Sequence, residues 1–291
     1  MENTINNQTG SVTDTNISNL DQSIASKELT KEEASSIVNK FFSTITCGDR
    51  EIENLLYEVI GYSITEAKTS KLCKSFIFKG CGRNGKSKIF RIIESLLKHD
   101  QCSHEHLENL SGSKAGSKST VKKLENTYVN ISEDQKQPKY INTSLITRII
   151  SGETISVAGE DITPHCVLLF SVNDVINFKE TGLHITDRFV VINFNAVFTD
   201  SNNNRDINIE EKLCSEQSLE LISSRAKEAF NKVLNQGKFT IPESVIESTK
   251  QYFLECNNVA EFCGLYPVKT IIVKSRYYQE YRNWCTYNNR E

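Results

Sequence analysis

The stretch FKGCGRNGKSKIF, residues 78–90, brings three glycines close to an asparagine, a lysine and a serine. Gly80 is followed by four residues and then by Gly85, Lys86 and Ser87, which is the spacing of a phosphate-binding loop (P-loop). Glycines let the backbone turn so that amide N–H groups point toward phosphate oxygens. The lysine would reach the β- and γ-phosphates, and the serine hydroxyl would bind Mg²⁺. The predicted nucleotide-binding residues are Gly80, Gly82, Asn84, Gly85, Lys86 and Ser87.

Two acidic side chains end the apolar segment TYVNISED, residues 127–134. A nucleotide-hydrolysing P-loop protein needs a carboxylate at a strand end, near the loop serine, to complete the magnesium shell and polarise a water molecule. We therefore predict that Glu133 and Asp134 are catalytic acids and that Ser87 and Glu133 hold Mg²⁺. The alternative is that the two acids only begin a solvated loop.

Two further polar residues lie at the ends of apolar runs. Asn173 follows CVLLFSV, where its amide is suited to position an attacking water. An ordinary turn is an equal alternative, because Asn-Asp commonly opens a loop. Arg188 precedes FVVINF, and an arginine supplied by a neighbouring subunit can neutralise charge in the transition state of phosphoryl transfer. The alternative is more common, since most single arginines lie at the protein surface without such a role.

Alternating strands and helices must position these residues. Short apolar runs predict buried strands in KSFIFKG, TYVNISED, CVLLFSVND and RFVVINFNAVF. Helical spacing predicts helices in LTKEEASSIVNKFFSTI, where Thr30 and Glu33 form a capping box, and in DREIENLLYEVIGYSI, where Gly61 is the expected C-cap. A further helix follows the P-loop, and helical patterns dominate after about residue 208. The sequence therefore predicts an α/β fold.

The same patterns divide the chain into four parts. Residues 1–29 contain no aromatic residue and are rich in Asn, Ser and Thr, which predicts a disordered tail. Residues 30–70 are an N-terminal helical segment, 71–207 the P-loop core, and 208–291 a C-terminal helical region.

The composition of the 291-residue chain is that of an ordinary globular protein, with 38% hydrophobic and 24% charged residues. A net charge of −3 gives no overall attraction to nucleic acid, so such binding needs a local basic surface. Nine cysteines without CxxC pairs argue against a zinc site or a disulfide framework and for reduced thiols in the cytoplasm. Since no signal peptide or long apolar run is present, no membrane partner is expected.

Taken in order, these segments resemble the superfamily III helicases, in particular the helicase domain shared by poxvirus-type primase–helicases and the primases of satellite phages and plasmids. EVIGYSITEAKTSKLCKSFIFKGCGRNGKS is similar to the family's helical lead-in and Asn-Gly-Lys-Ser loop, and NISED to its acidic motif. TRIISGETISV is similar to the intermediate motif, and LLFSVND with the later RFVVINF to the asparagine sensor and the arginine after it. The segments from residue 239 onward are similar to the trailing helices and part of a winged helix.

This resemblance implies an AAA+ ATPase core and a homo-hexameric ring with ATP between neighbouring subunits. A central pore would grip single-stranded DNA, and translocation would unwind a replication fork of a virus or mobile element. The implied roles are ATP and Mg²⁺ binding for Lys86 and Ser87, catalysis for Glu133 with Asp134, sensing for Asn173 and action in trans for Arg188.

The sequence departs from the family pattern in the DNA-contacting segment. The intermediate motif usually ends with a basic residue that faces DNA, whereas Glu160 and Asp161 lie near that place here. Arg148 matches an earlier basic position and is expected to contact DNA. Lys114 and Lys118 lie in the acid-free stretch SGSKAGSKSTVKK and are candidate phosphate contacts, with an ordinary solvated loop as an equal alternative. No primase domain precedes the helicase segment, so a separate primase or polymerase is expected as a partner.

Two other groups of residues invite a functional interpretation. Tyr277, Tyr281 and Trp284 lie in a basic segment suited to base stacking, but their spacing favours the buried stripe of a helix. His104 and His106 resemble metal ligands, but on a helix they would point apart, which favours a surface loop.

The sequence thus predicts an ATP-dependent replicative DNA helicase. The alternative, from a different class, is a catalytically weak ring or DNA-binding subunit that works with a separate primase or polymerase. A P-loop kinase or transport ATPase would leave the strands next to Asn173 and Arg188 unexplained.

Overall fold

A computed structural model describes residues 29–66, 71–111, 118–133, 141–176, 178, 182–199, 206–267 and 272–288. The predicted disordered tail lies almost entirely outside these residues, as do Lys114 and Asp134. Seven strands are described: β1 (Ser75–Lys79), β2 (Cys102–Ser103), β3 (Val129–Ser132), β4 (Ile155–Val157), β5 (Glu160–Ile162), β6 (Val167–Val172) and β7 (Phe189–Asn193). Five of them form a parallel sheet in the order β2-β3-β6-β1-β7, so the predicted α/β class is confirmed.

Twelve α-helices surround this sheet within the described residues. They are α1 (Lys31–Ile45), α2 (Arg50–Ile64), α3 (Lys86–Leu96), α4 (Leu107–Ser111), α5 (Lys118–Leu124), α6 (Ser144–Ile150), α7 (Leu183–Thr186), α8 (Ile209–Leu213), α9 (Glu216–Gln236), α10 (Glu243–Glu255), α11 (Asn258–Leu265) and α12 (Lys274–Tyr287). The capping box predicted at the start of α1 is present, because Thr30 and Glu33 each accept the other's backbone N–H in a side-chain hydrogen bond. No helix in the described part of the chain is both long and apolar enough to cross a membrane.

Hydrophobic cores cover both faces of the sheet. The sequence of β1 is therefore almost continuously apolar. Successive side chains of a strand point to opposite faces. Phe76 and Phe78 therefore pack into the core formed with α1, α2, α3 and α9. Ile77 packs into the core on the other face, which includes residues of α6 and α10. The P-loop that follows β1 is consequently anchored between two hydrophobic layers.

Helix α10 also protects the exposed edge of the sheet at β7. Val191 donates its backbone N–H to the Thr249 hydroxyl at 2.9 Å, and its carbonyl accepts a hydrogen bond from Ser248 at 2.9 Å. These side chains satisfy strand groups that would otherwise form an open edge.

The prediction that Gly61 caps α2 is wrong, because the helix continues to Ile64. Gly61 instead allows α2 and α9 to approach closely. A Cβ atom at this position would lie 2.2 Å from the carbonyl oxygen of Ala226 and 2.6 Å from Cβ of Phe230. The glycine is therefore required for the close packing of α2 against α9.

The sequence patterns did not predict several short strands and helices of the structure. Strands β4 and β5 form an antiparallel hairpin within the intermediate motif, and β2 is an edge strand of two residues. The hairpin turns at Ala158 and Gly159, which both have positive φ (50° and 82°). The predicted helix after residue 208 is also divided in two, because Ser215 caps a new helix.

The prediction of a buried aromatic stripe near the C-terminus is confirmed. Trp284 is buried beside Phe262 of α11, and Tyr277 and Tyr281 pack against the same cluster. These rings therefore hold α11 and α12 together.

Candidate functional site

Three of the predicted functional segments emerge at the same edge of the sheet. Strands β1, β3 and β6 are parallel, with Lys79 opposite Val172 and Ser132 opposite Phe170. Their carboxyl ends therefore lead into the P-loop, Asn173 and Glu133 side by side. In open parallel sheets, ligands bind in the crevice outside these carboxyl ends.

The shape of the P-loop explains two of its glycines. A Cβ atom on Gly80 would lie 2.1 Å from the Asn84 side chain and 2.7 Å from the Phe194 carbonyl oxygen. Gly85 has φ of +89° and immediately precedes α3, so it opens the helix in a conformation that favours glycine. The buried Asn84 amide points its nitrogen toward the Phe194 oxygen at 3.4 Å. The loop is thereby held against the end of β7.

Lys86 is the first residue of α3, and its side chain returns into the P-loop. The residue is only 5% exposed, and its Nζ donates hydrogen bonds to the Gly80 carbonyl oxygen and, at 3.3 Å, to Oδ1 of Asn173. These hydrogen bonds hold the Lys86 ammonium group beside the backbone of the P-loop. The bond to Asn173 joins two predicted site residues that are 87 positions apart in sequence.

One cleft of about 800 Å³ contains most of the predicted nucleotide site. Its size is within the range of small-molecule binding sites. Among the residues that line it are Lys86, Ser87, Glu133 and Asn173. The structure therefore brings together the loop, one of the two predicted acids and the predicted sensor. Asp134 lies outside the described residues.

The other wall of this cleft was missed by sequence reasoning. Helix α1 contributes Ile37, Lys40 and Phe41, and the opposite side carries Phe198 and Ile207. The four apolar side chains of this set form an apolar surface beside the polar P-loop end of the cleft. No local signal in the sequence points to α1, because it begins some fifty residues before the P-loop.

Ion pairs fix helix α8 beside the cleft. Lys88 of α3 bonds Glu210, and Lys212 bonds Asp206 at 2.7 Å. The hydrogen bond from Lys88 lowers the pKa of Glu210, and that from Lys212 lowers the pKa of Asp206. Both acids therefore remain ionised at neutral pH and counterbalance the lysines.

Arg188 lies at the opposite edge of the sheet from the P-loop. Its carbonyl oxygen accepts a hydrogen bond from Ser75 N at 2.8 Å, and Ser75 begins β1 whereas the loop follows Lys79. Five strand residues separate the two edges by roughly 16 Å. The guanidinium bonds Ser151 Oγ at 3.2 and 3.3 Å and also the His184 carbonyl oxygen. The arginine thus lies away from the cleft beside the P-loop of its own chain.

Only one of the predicted DNA-contacting side chains can be described. Arg148 ends near the β4–β5 hairpin, where it donates to the Thr154 carbonyl oxygen at 2.7 Å and pairs with Glu153 at 3.4 Å. The exposed acids Glu160 and Asp161 lie on β5 of the same hairpin. Lys118 begins the short helix α5, and Lys114 lies outside the described residues.

No protein-family model matches the sequence, and no curated protein matches it either. Among solved structures, an apo structure of the NrS-1 C-terminal region has a TM-score of 0.53 and 15% sequence identity, covering 77% of this chain and 52% of that one. A second apo structure, of NrS-1 residues 305–718, has a TM-score of 0.47 and 13% identity, covering 86% of this chain and 62% of that one. The chain therefore spans about half the length of the NrS-1 region in the first comparison. The first likeness shows a shared fold.

Proposed function

We propose that this protein is an ATP-dependent DNA helicase of superfamily III, with an AAA+ core, that acts in the replication of a virus or mobile element. The observation that carries this proposal is the single cleft in which Lys86, Ser87, Glu133 and Asn173 meet. The sheet order supports the same interpretation. Strand β6 lies between the P-loop strand and the acidic strand, which brings Asn173 between Lys86 and Glu133.

Each of these residues has a role that follows from its chemistry. The loop amides and Lys86 bind the phosphates of ATP, and Asn173 holds the lysine and senses the γ-phosphate. The oxygen ligands of Ser87 and Glu133 suit Mg²⁺, which prefers hard donors. When bound, Mg²⁺ would neutralise charge on the β- and γ-phosphates. Glu133 accepts a proton from the attacking water, and the apolar wall on α1 binds the base.

In a ring of identical subunits, Arg188 reaches the nucleotide site of a neighbour. Since the arginine lies about 16 Å from its own P-loop, it acts on the nucleotide of a neighbouring subunit. Heterologous contacts of this kind form a ring when the rotation between subunits closes. A homo-hexamer around single-stranded DNA is therefore the assembly we propose, with Arg148, Lys114 and Lys118 toward the DNA. A separate primase or polymerase would supply primers.

ATP hydrolysis by the purified chain, with and without single-stranded DNA, tests this proposal. We expect turnover that DNA stimulates. The Glu133→Gln variant should still bind ATP but hydrolyse it about 100-fold more slowly or worse, because it lacks the general base. Glu108→Gln, which changes an exposed acid on α4, is the matched control and should hydrolyse ATP normally. Turnover that survives in Glu133→Gln would contradict the assigned chemistry.

One observation favours the alternative, a catalytically weak ring or DNA-binding subunit that works with a separate primase or polymerase. The charge of Arg148 is already paired with Glu153, and the adjoining hairpin is acidic. Such a surface would grip DNA weakly during translocation. A ring that binds DNA but shows no turnover, with or without DNA, would support this second function over the helicase.

A further inference from the structure

Three side chains with metal-binding chemistry meet at the edge of the sheet farthest from β7. Glu94 lies in the last turn of α3, and Cys102 and His104 lie in and just after strand β2. Their donor atoms all lie within 4.8 Å of one another. His104 Nε2 is 3.8 Å from Cys102 Sγ and 3.7 Å from Glu94 Oε1.

The local backbone explains why these residues converge. Residues i and i+2 of a strand point to the same face. Cys102 and His104 therefore point toward α3, while Ser103 between them points inward and donates a hydrogen bond to Asn130 at 2.8 Å. The prediction that His104 and His106 lie in a surface loop is confirmed, because both are exposed and neither belongs to a helix or strand. Within this loop, His104 also lies beside Cys102 and Glu94.

The distances are those of a nearly formed metal site. Zinc binds cysteine sulfur at about 2.3 Å and histidine nitrogen or carboxylate oxygen at about 2.1 Å, so neighbouring ligands of a tetrahedral site are about 3.4–3.6 Å apart. The Cys102–His104 and His104–Glu94 separations, 3.8 and 3.7 Å, exceed these values by only a few tenths of an ångström, and all three donor atoms lie within 4.8 Å of one another. Small side-chain rotations would complete the geometry.

A second interaction already orients one of the ligands. Arg91 Nη1 donates to Glu94 Oε2 at 2.7 Å, which leaves Oε1 directed at His104. Outer partners of this kind fix the orientation of ligating carboxylates. The sulfur donor favours zinc over magnesium or calcium, which prefer oxygen. The His104 side chain is 59% exposed, so a water molecule can reach the fourth position.

We propose that Glu94, Cys102 and His104 form a zinc-binding site that fastens strand β2 to the end of helix α3. The site shares no residue with the lining of the nucleotide cleft, and it differs from the expectation that the spacing of the cysteines argues against zinc. Its structural role follows from the shortness of β2, which consists of two residues. Zinc binds the thiolate form of cysteine, so the Cys102 thiol proton is released to solvent when the zinc–sulfur bond forms.

Cobalt(II) is the probe for this site, because thiolate ligation gives it a near-ultraviolet charge-transfer band and tetrahedral geometry gives strong visible bands. We expect both bands when cobalt is added to the full chain under reducing conditions, and we expect zinc to abolish them. His104→Ala changes an exposed side chain and should weaken cobalt binding by about 100-fold or more, since even outer-sphere partners contribute 10–100-fold. Cys102→Ser should remove the charge-transfer band.

Cys214 provides the matched control, since it is another half-buried thiol and lies near α3, with its sulfur 3.4 Å from Ser95 Oγ. Cys214→Ser should bind cobalt as the unchanged protein does. Zinc should also raise the unfolding temperature of the unchanged protein and of Cys214→Ser but not of His104→Ala. Absence of a charge-transfer band, a band that persists in Cys102→Ser, or an unchanged cobalt affinity in His104→Ala would overturn the proposal.

Discussion

Replacement of Arg188 by alanine distinguishes a finger that acts between subunits from an arginine that acts on its own nucleotide. At about 16 Å, the charge of Arg188 would interact with a charge at its own P-loop by about 0.3 kcal/mol in water. Even at an effective dielectric constant of about 20, the interaction is about 1 kcal/mol, or roughly sixfold in rate. An arginine finger that contacts the phosphates of a neighbour contributes about 1000-fold or more. We therefore expect Arg188→Ala to lose about 1000-fold in turnover while it retains ATP binding.

The decisive assay mixes Arg188→Ala with Lys86→Ala subunits. Each variant alone lacks one half of every site in the ring. In a random equimolar ring, an active interface needs an intact Lys86 on one side and an intact Arg188 on the other. About a quarter of the interfaces meet this condition, so the mixture should recover up to about a quarter of the unaltered turnover per site.

Two controls make the result interpretable. Ser151→Ala removes the hydroxyl that Arg188 bonds but keeps the guanidinium, so it should retain most turnover if the arginine acts through its charge. Sizing and subunit exchange with a labelled chain show that mixed rings have formed. If mixed rings form and no turnover returns, Arg188 does not act in trans, and the role assigned to the opposite edge of the sheet is wrong.

Three further predictions address the site and the fold. Asn173→Ala should reduce kcat roughly 100-fold with little change in ATP affinity, measured by steady-state kinetics and nucleotide titration, because the amide that bonds Lys86 and senses the γ-phosphate is lost. Gly61→Ala should destabilise the protein by about 2 kcal/mol in chemical unfolding, whereas Gly264→Ala, a helical glycine with open space, should stabilise it by about 0.5 kcal/mol. Burial raises the pKa of Glu58 above its usual 4.5. Because the folded state then binds more protons than the unfolded state, the stability of the unchanged protein should fall as pH rises above 4.5. The fall should be smaller in Glu58→Gln. Melting temperatures of the two proteins, compared across pH, check this.

Much of the candidate site could be predicted because its signals are local. The P-loop spacing, the strand before it and the helix after it all lie within about twenty residues. The apolar strands that end at Glu133 and Asn173 can likewise be predicted from the sequence. Parallel strands then bring their carboxyl ends to one edge, so the convergence of these residues follows from the α/β pattern.

The remainder depends on contacts that leave no local pattern. The apolar wall on α1 reaches the cleft only because α1 packs against distant helices of the same core. Gly61 resembles a helix cap in the sequence, and only the position of Ala226 on α9 shows that it permits close packing. Both cases arise from helix packing between residues far apart in the chain, which periodicity within one element does not reveal.

Cys102 and His104 show how local secondary structure decides which side chains converge. On a helix, side chains at positions i and i+2 would point apart. In a strand they share one face, and the sheet order places that face beside the last turn of α3. A two-residue strand is too short for sequence periodicity to detect, yet its pairing with Val129 and Asn130 of β3 sets its orientation. The ligand geometry therefore depends on the parallel sheet, and a variant that disrupts β3 pairing should lose cobalt binding although it changes no ligand.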